Sequence, residues 1–198
     1  MMSLIRKKIN SAVHKRGYAI KKILPRPSIL FIKDKEKEKF LFGAEIGTFE
    51  GDNAESILKI LPIKMIYLID PYEKYQDYEG DTAYNSLNVA EQKAKKKLMK
   101  YKEKIIWVKR KSTEALKDIP NNLDFVYIDG NHSYKFVKED MKNYYKKLKM
   151  GGVLAGHDIE NGIDLNDGVT RAFVEFVREN NLKPYILYPD WWVIKERG

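Results

Sequence analysis

An acidic residue and two glycines follow the first apolar stretch of this sequence, a combination that can bind a small ligand. Glu45 ends the stretch, and Gly47 and Gly51 come next, before a helical pattern over residues 52–61. Glycines at a turn between a strand and a helix let the backbone approach a ligand closely. Because Glu45 would repel a pyrophosphate, the turn favours a ligand that has cationic groups and no phosphate. Turns of this kind also join strands to helices for purely structural reasons.

A second apolar stretch, residues 65–69, also ends in an acid, Asp70. The number of residues between Glu45 and Asp70 is the length that a strand–helix–strand unit needs to return the chain beside its first strand. A carboxylate at the end of the second strand can accept hydrogen bonds from both hydroxyls of a ribose. The alternative is a solvated acid at a strand end. Taken together, Glu45 and Asp70 predict a site for a nucleoside-type cofactor.

Two further motifs carry acids and histidines, and with the glycine turn they resemble one family. Residues 124–134 read DFVYIDGNHSY, and residues 148–158 read LKMGGVLAGHD. The combination closely resembles the class I S-adenosylmethionine-dependent methyltransferases, and within them a group of sugar and small-molecule O-methyltransferases. The resemblance covers residues 40–179. It implies S-adenosylmethionine as the cofactor, and the sulfonium and amino groups of this molecule are cations that Glu45 would suit.

The same resemblance implies which residues hold the cofactor. The glycine turn and Asp70 would carry it, and a residue near Ser112 would lie beside the adenine. Ser112 or Thr113 is also expected to cap the helix that begins there. The predicted cofactor-binding residues are Glu45, Gly47, Thr48, Gly51, Asp70, Ser112 and Asp129.

Asp129 comes where the fourth predicted strand stops, and His157 and Asp158 come where the fifth stops. Such strand ends lie side by side in an open parallel sheet. We expect Asp129, His132, His157 and Asp158 to face the methyl acceptor as catalytic residues. Without a metal ion, His132 or His157 is the candidate general base, because imidazole titrates near neutrality. The alternatives are that His132 braces the loop after the fourth strand and that Asp158 orients His157.

A divalent metal ion is a second candidate cofactor at these strand ends. Two carboxylates and an imidazole, from Asp129, His157 and Asp158, could bind Mg²⁺. The resemblance extends to metal-dependent O-methyltransferases, in which acids at the ends of these two strands hold Mg²⁺. Their second position usually carries an acid or an amide, whereas this sequence has His157 there. The sequence therefore leaves the requirement for Mg²⁺ open.

The alternation of apolar stretches and helical patterns predicts an α/β fold. We expect a Rossmann-like, mostly parallel sheet of seven strands, with helices on both faces and a C-terminal antiparallel hairpin. Residues 1–30 are predicted to be a basic helical appendage that acts as a lid or an oligomer element, for example in a homodimer. Residues 31–198 would form the cofactor-binding domain, which starts with a charged connector over 31–39. The strands are predicted at 41–46, 65–69, 105–108, 123–128, 152–155, 185–188 and 191–194, and the helices at 52–61, 83–101, 112–116, 134–148 and 169–180.

Composition narrows the functional classes. The 198 residues contain no cysteine, which excludes disulfides and thiolate metal sites and fits a cytoplasmic protein. No apolar run is long enough for a membrane span. The net charge is +9, but the lysines lie mainly in helical tracts, so solvated helix faces explain them better than a nucleic-acid surface does.

The sequence therefore predicts a methyltransferase that uses S-adenosylmethionine and acts on an oxygen of a sugar or another small hydroxylated acceptor. A nucleic-acid methyltransferase and a non-catalytic binding or scaffold protein of the same fold are the alternatives. A nicotinamide oxidoreductase is disfavoured by the glycine spacing. Residues 71–84 and 159–167 are expected to form loops that select the acceptor, with Tyr72 lining the cofactor or the acceptor.

Overall fold

The computed structural model describes residues 25–36, 39–73, 87–159 and 166–196 of the chain. The helices predicted before residue 25 lie outside the described residues, and so does most of both predicted acceptor loops. Within the described ranges, no helix is long and apolar enough to cross a membrane.

One sheet organises the described residues, and its strands are β1 (Leu41–Ile46), β2 (Ile63–Ile69), β3 (Ile105–Val108), β4 (Leu123–Ile128), β5 (Leu148–Gly156), β6 (Tyr185–Leu187) and β7 (Asp190–Ile194). Their spatial order is β3-β2-β1-β4-β5-β7-β6. The pairs among β1 to β5 are parallel, whereas β7 pairs antiparallel with both β5 and β6. The predicted mostly parallel sheet with a C-terminal antiparallel hairpin is therefore confirmed.

Helices cover both faces of this sheet, and they are α1 (Pro27–Lys35), α2 (Asp52–Ile60), α3 (Leu87–Leu98), α4 (Ser112–Ala115), α5 (Tyr134–Lys147) and α6 (Gly168–Glu179). A 3₁₀ segment, Met99–Lys104, follows α3. Buried residues of α1, α2 and α3 form one apolar cluster with the sheet, and those of α4, α5 and α6 form the other. Every residue of β4 is buried, as expected for a central strand that is covered on both faces.

Helix α1 corrects the prediction of a charged connector over residues 31–39. Pro27 occupies the first turn of the helix, where its fixed φ and missing N–H are tolerated. Ile29 and Ile32 are buried in the apolar cluster beneath α1, while the charged residues that follow Ile32 within the helix are exposed. The charged sequence therefore marks the outer face of a helix and not a linker.

The start of α4 also differs from the prediction. Lys111 occupies the N-cap position, and no side chain caps the helix, so the prediction that Ser112 or Thr113 does so is wrong. The side chain of Ser112 lies near Asp140 of α5 and lowers the pKa of that carboxyl group.

Candidate functional site

A pocket of about 450 Å³ opens at the carboxyl ends of β1, β2 and β4. Ligands bind at this edge of open α/β sheets because loops from neighbouring strands converge there. The described lining is rich in acids, although the whole chain carries a net charge of +9. Arg26 and His132 are the basic residues among the described lining residues. The acids are Glu50, Asp52, Asp70, Glu73, Asp129 and Asp140.

Lysines of α3 pair with two of these acids. Lys93 Nζ lies 2.6 Å from Glu50 Oε1, and Lys97 Nζ lies 2.5 Å from Asp52 Oδ1. In the part of the chain that the structure describes, no lysine forms an ion pair with the other four acids of the lining. The pocket therefore keeps an excess of acidic groups.

The turn between β1 and α2 places its backbone directly against the end of β4. Gly47 has a φ of +86°, and a Cβ atom there would lie 2.0 Å from the carbonyl oxygen of Asp129. Gly51 has a φ of +77° and occupies the N-cap of α2. The turn itself thus requires both glycines. Gly47 and Thr48 also line the pocket, whereas Gly51 is not among the lining residues.

Asp70 lines the pocket and holds this turn through backbone hydrogen bonds. Its Oδ2 accepts from the N–H groups of Thr48 (3.0 Å) and Phe49 (2.8 Å), and its Oδ1 accepts from the N–H of Tyr72 (2.8 Å). Burial raises the pKa of Asp70, and the three donors oppose that rise. A carboxylate offers about four acceptor sites, so Asp70 keeps capacity for a ligand hydroxyl. Tyr72 is buried and donates to the carbonyl of Phe49, which braces the turn.

Glu45 lies beneath the turn and is not among the residues that line the pocket. Its side chain is fully buried: Oε1 accepts a hydrogen bond from Asn53 Nδ2 (2.9 Å), and Oε2 has no partner among the described residues. Burial raises the pKa of Glu45 to about 8, against the opposing hydrogen bond from Asn53. A neutral carboxyl group is therefore favoured at this position at neutral pH.

We expect Glu45→Gln to stabilise the protein in a pH-dependent way. The pKa of folded Glu45 lies above the ordinary value of 4.5, so the contribution of Glu45 to the free energy of unfolding is greatest below about pH 4.5 and is lost as the pH rises through about 8. Glutamine has no proton to release, so the variant escapes this loss. Urea unfolding should favour the variant by about 1 kcal/mol or more at pH 8, with no advantage near pH 4.

Glu114→Gln is the matched control for this prediction, because Glu114 is exposed and the substitution removes the same charge. It should leave the pH dependence of unfolding unchanged. A Glu45→Gln variant whose stability follows the wild-type pH profile would contradict the assignment of a neutral Glu45.

Arg26, immediately before α1, reaches two acids beside the pocket. Nη2 lies 3.4 Å from Asp129 Oδ2, and Nη1 lies 3.9 Å from Asp190 Oδ1. Asp190 is fully buried in β7 and also accepts hydrogen bonds from the Ser28 N–H (3.1 Å) and from the Tyr127 hydroxyl (3.0 Å). Burial raises the pKa of Asp129 to about 6, although the Arg26 guanidinium lowers it. Sequence reasoning missed Arg26 because its partner lies 103 residues away and no local pattern marks it.

Asp158 bridges the two histidines of the predicted catalytic group. Its Oδ2 lies 3.0 Å from His132 Nε2, and its Oδ1 lies 2.6 Å from His157 Nδ1. The side chain of His132 is 47% exposed and lines the large pocket. His157 is 18% exposed and lines only a small crevice beside Trp191 among the described cavities. The structure therefore brings His132, and not His157, to the pocket.

Three of the predicted residues could hold a metal ion together. Asp129, His132 and Asp158 each offer a ligand atom, and these atoms lie within 4.8 Å of one another. The predicted set has His157 in place of His132, but Asp158 engages His157 Nδ1. Carboxylate oxygens suit Mg²⁺ or Mn²⁺, and the imidazole adds a preference for transition metals. The donors fit one divalent ion, whose charge the Arg26 guanidinium beside Asp129 would oppose.

Helices α4 and α5 supply a further part of the pocket wall. Ser112, Phe136 and Asp140 line the pocket there, together with Leu87 from the start of α3. Asp140 is 4% exposed, and burial raises its pKa to about 7, while the nearby side chain of Ser112 lowers it. Sequence reasoning found Ser112 but not Asp140. The sequence carries one signal for Asp140, because this acid occupies a position of the helical repeat at which apolar residues are expected. A polar residue at such a buried position is informative, whereas a polar residue on the surface is not.

Comparison with known proteins places this geometry in a family. The sequence model of a protein family described as a methyltransferase domain matches residues 44–159. These residues include the glycine turn and the ends of β4 and β5. Uncharacterized protein R132 of Acanthamoeba polyphaga mimivirus is 28% identical over 134 residues. That match covers 64% of this chain and 54% of the viral protein, so the chain spans about half the length of this curated relative.

Solved structures share the fold. A Staphylococcus aureus protein assigned as a caffeoyl-CoA O-methyltransferase gives a TM-score of 0.63 at 16% identity, over 96% of this chain and 99% of that one. A Klebsiella pneumoniae protein assigned as an O-methyltransferase gives a TM-score of 0.61 at 12% identity, over 97% of this chain and 89% of that one. The O-methyltransferase NovP gives a TM-score of 0.62 at 14% identity, over 86% of this chain and 80% of that one. These likenesses concern the fold, but the family model matches more than half of the sequence, and this chain therefore belongs to the methyltransferase domain family.

Proposed function

We propose that this protein transfers the methyl group of S-adenosylmethionine to an oxygen of a small hydroxylated acceptor such as a sugar. Membership in the methyltransferase domain family implies this methyl donor. The observation that carries the proposal is an acidic pocket in a chain of net charge +9. S-adenosylmethionine bears a sulfonium and an ammonium group and no phosphate, so the lining favours it over a dinucleotide or a nucleic-acid backbone.

The residues around the glycine turn fit such a donor. Asp70 has acceptor capacity left at the pocket surface, which suits the ribose hydroxyls. Gly47 and Thr48 line the pocket beside the backbone of Asp129, whose carboxylate supplies negative charge for a cationic ligand. Glu45 supports this arrangement from beneath and does not line the pocket.

His132 is the group best placed to remove the proton of the acceptor. Its Nε2 lies 3.0 Å from Asp158 Oδ2, so a proton on Nε2 would face that carboxylate and leave Nδ1 as the nitrogen that accepts a proton. As the acceptor oxygen bonds to the methyl carbon, the carbon–sulfur bond breaks and its electron pair stays on sulfur. The hydroxyl proton passes to His132 Nδ1, and the carboxylate of Asp158 stabilises the resulting imidazolium.

A divalent ion would change the role of His132. Asp129, His132 and Asp158 would hold the ion, and a bound ion would acidify an acceptor hydroxyl group directly. In that case His132 is a ligand rather than the base. A methyl-transfer assay with a chelator, and with Mg²⁺ or Mn²⁺ restored, separates these roles, because only the ligand role requires the ion.

Calorimetric titration with S-adenosylmethionine and S-adenosylhomocysteine tests the cofactor. We expect both compounds to bind the wild type and Asp70→Ala to weaken their binding at least about tenfold. The substitution removes an acceptor at the pocket surface and frees the N–H groups of Thr48, Phe49 and Tyr72. Asp118→Ala, at an exposed ion pair with Arg110, is the matched control and should bind like the wild type.

Binding of NAD in place of both S-adenosyl compounds would refute the cofactor assignment. For the acceptor class, methyl transfer is measured with a panel of sugars and other small hydroxylated compounds, and with RNA and DNA. Transfer to nucleic acid with none to the small compounds would overturn the acceptor class and leave the donor assignment intact.

A further inference from the structure

Arg26 lines the pocket from a backbone position that its neighbours hold in place. Pro25 precedes it and Pro27 follows it, and its φ of −60° and ψ of 138° lie in the extended region that a following proline favours. Its carbonyl oxygen accepts hydrogen bonds from the N–H groups of Ile29 (3.1 Å) and Leu30 (3.2 Å) in the first turn of α1. The side chain therefore reaches the site from a fixed starting point.

Asp190 keeps the guanidinium group of Arg26 beside the pocket. Asp190 is fully buried, and among the described residues Arg26 is the only lysine or arginine that forms an ion pair with it. The N–H of Ser28 and the hydroxyl of Tyr127 also donate to this carboxylate. A buried carboxylate that loses its cationic partner is strongly destabilising. Moving the guanidinium away from the site would therefore cost stability at Asp190.

Asp129 connects Arg26 to the candidate metal cluster, which consists of Asp129, His132 and Asp158. The Oδ2 of Asp129 lies 3.4 Å from Arg26 Nη2, whereas its Oδ1 lies 3.9 Å from His132 Nε2. A divalent ion bound by this cluster would therefore share one carboxylate with the guanidinium. The side chains of Arg26 and Asp129 are 23% and 19% exposed, so water screens the repulsion between the two cations only partly.

We propose that the Arg26 guanidinium takes the place of a divalent ion beside Asp129 and keeps such ions out of the candidate metal cluster. A guanidinium carries a permanent positive charge and five N–H donors, so it can neutralise Asp129 and still have donors left for an acceptor oxygen. One consequence rests on the proposed function: methyl transfer proceeds without a metal ion, and His132 keeps the role of general base.

Mn²⁺ alone is the probe for this inference, because electron paramagnetic resonance follows its binding without cofactor or acceptor. The wild type should bind Mn²⁺ weakly, and Arg26→Gln should bind it at least about tenfold more tightly, since the repulsion is gone. Adding Asp129→Asn to Arg26→Gln should reverse this gain. Arg110→Gln, at an exposed ion pair with Asp118, removes the same charge and should keep the wild-type affinity.

A second pair of variants protects the test against misfolding, because Arg26→Gln leaves Asp190 buried without its cation. Asp190→Asn alone keeps the guanidinium, whereas Arg26→Gln combined with Asp190→Asn leaves neither charge of that pair unpaired. The combined variant should bind Mn²⁺ at least about tenfold more tightly than Asp190→Asn does. Where thermal unfolding shows that Arg26→Gln is not folded, this second comparison decides.

A gain in Mn²⁺ affinity that requires both the loss of the guanidinium and the carboxylate of Asp129 supports the inference. Equal affinity with and without the guanidinium overturns it, and so does a gain that Asp129→Asn fails to reverse. Wild-type methyl transfer that a chelator abolishes and Mn²⁺ restores also overturns it, while the assignment of the methyl donor stands. The proposed function fails separately, if the wild type binds neither S-adenosyl compound, and the Mn²⁺ comparison then still decides the role of Arg26.

Discussion

His132→Gln should lower kcat by about 10²–10⁴-fold, because a positioned general base contributes that much to proton transfer. The side chain is 47% exposed, so we expect the variant to fold with a nearly unchanged melting temperature. Binding of S-adenosylhomocysteine should also persist. Steady-state kinetics with the acceptor identified from the panel, together with calorimetry, separate the loss of chemistry from a loss of binding.

His157→Gln is the matched control, since both imidazoles contact the carboxylate of Asp158. Its loss of kcat should be smaller, because His157 is largely buried behind that carboxylate and faces only the small crevice. If His157→Gln lowers kcat more than His132→Gln does, His157 is the general base and His132 is not. If added Mn²⁺ rescues His132→Gln, the residue is a metal ligand and not the base.

Gly47→Ala should destabilise the protein by about 3 kcal/mol or more and abolish cofactor binding. Two costs combine at this position. Alanine at a φ of +86° is strained, and its Cβ atom would lie 2.0 Å from the backbone oxygen of Asp129, which no side-chain rotation can relieve. The turn must therefore move away from β4, and the N–H groups that donate hydrogen bonds to Asp70 move with it.

Gly151→Ala separates these two costs. Gly151 has a φ of +75°, but the nearest neighbour of a Cβ atom there would be the flexible end of the Lys35 side chain, 3.8 Å away. We expect this substitution to cost about 1–2 kcal/mol, which reflects the backbone conformation alone. Denaturant unfolding of both variants measures the difference. Equal losses for Gly47→Ala and Gly151→Ala would show that contact with β4 is unimportant.

The strand ends could be predicted because local sequence determines them. Each parallel strand is an apolar stretch that stops at a polar or glycine-containing turn, and this pattern needs no knowledge of distant residues. The positions of Asp70 and Asp129 at one edge follow from the strand–helix–strand connections alone. The topology and the location of the pocket are therefore predictable from the amino-acid sequence.

Other features depend on contacts that sequence patterns do not record. Arg26 enters the site because α1 docks beside β7. The sequence pattern places Arg26 in the predicted appendage over residues 1–30 and indicates a charged connector over residues 31–39. The choice between His132 and His157 depends on side-chain direction at Asp158, whose φ of +60° lies in the left-handed region. Glu45 lies one residue before the end of β1, and burial beneath the turn removes it from the pocket wall.

The buried Asp190 also sets an order of events on the ribosome. The backbone N–H of Ser28, at the start of α1, donates to Asp190, which lies 162 residues later in the chain. The ring of Phe31 packs at a tilt against that of Trp192 in the same strand, with 5.2 Å between the ring centroids. During synthesis, these contacts of α1 therefore cannot form until β7 has been made. Because Arg26 lines the pocket and precedes α1 directly, its full set of contacts, which includes Asp190, is also completed only after β7 has been made.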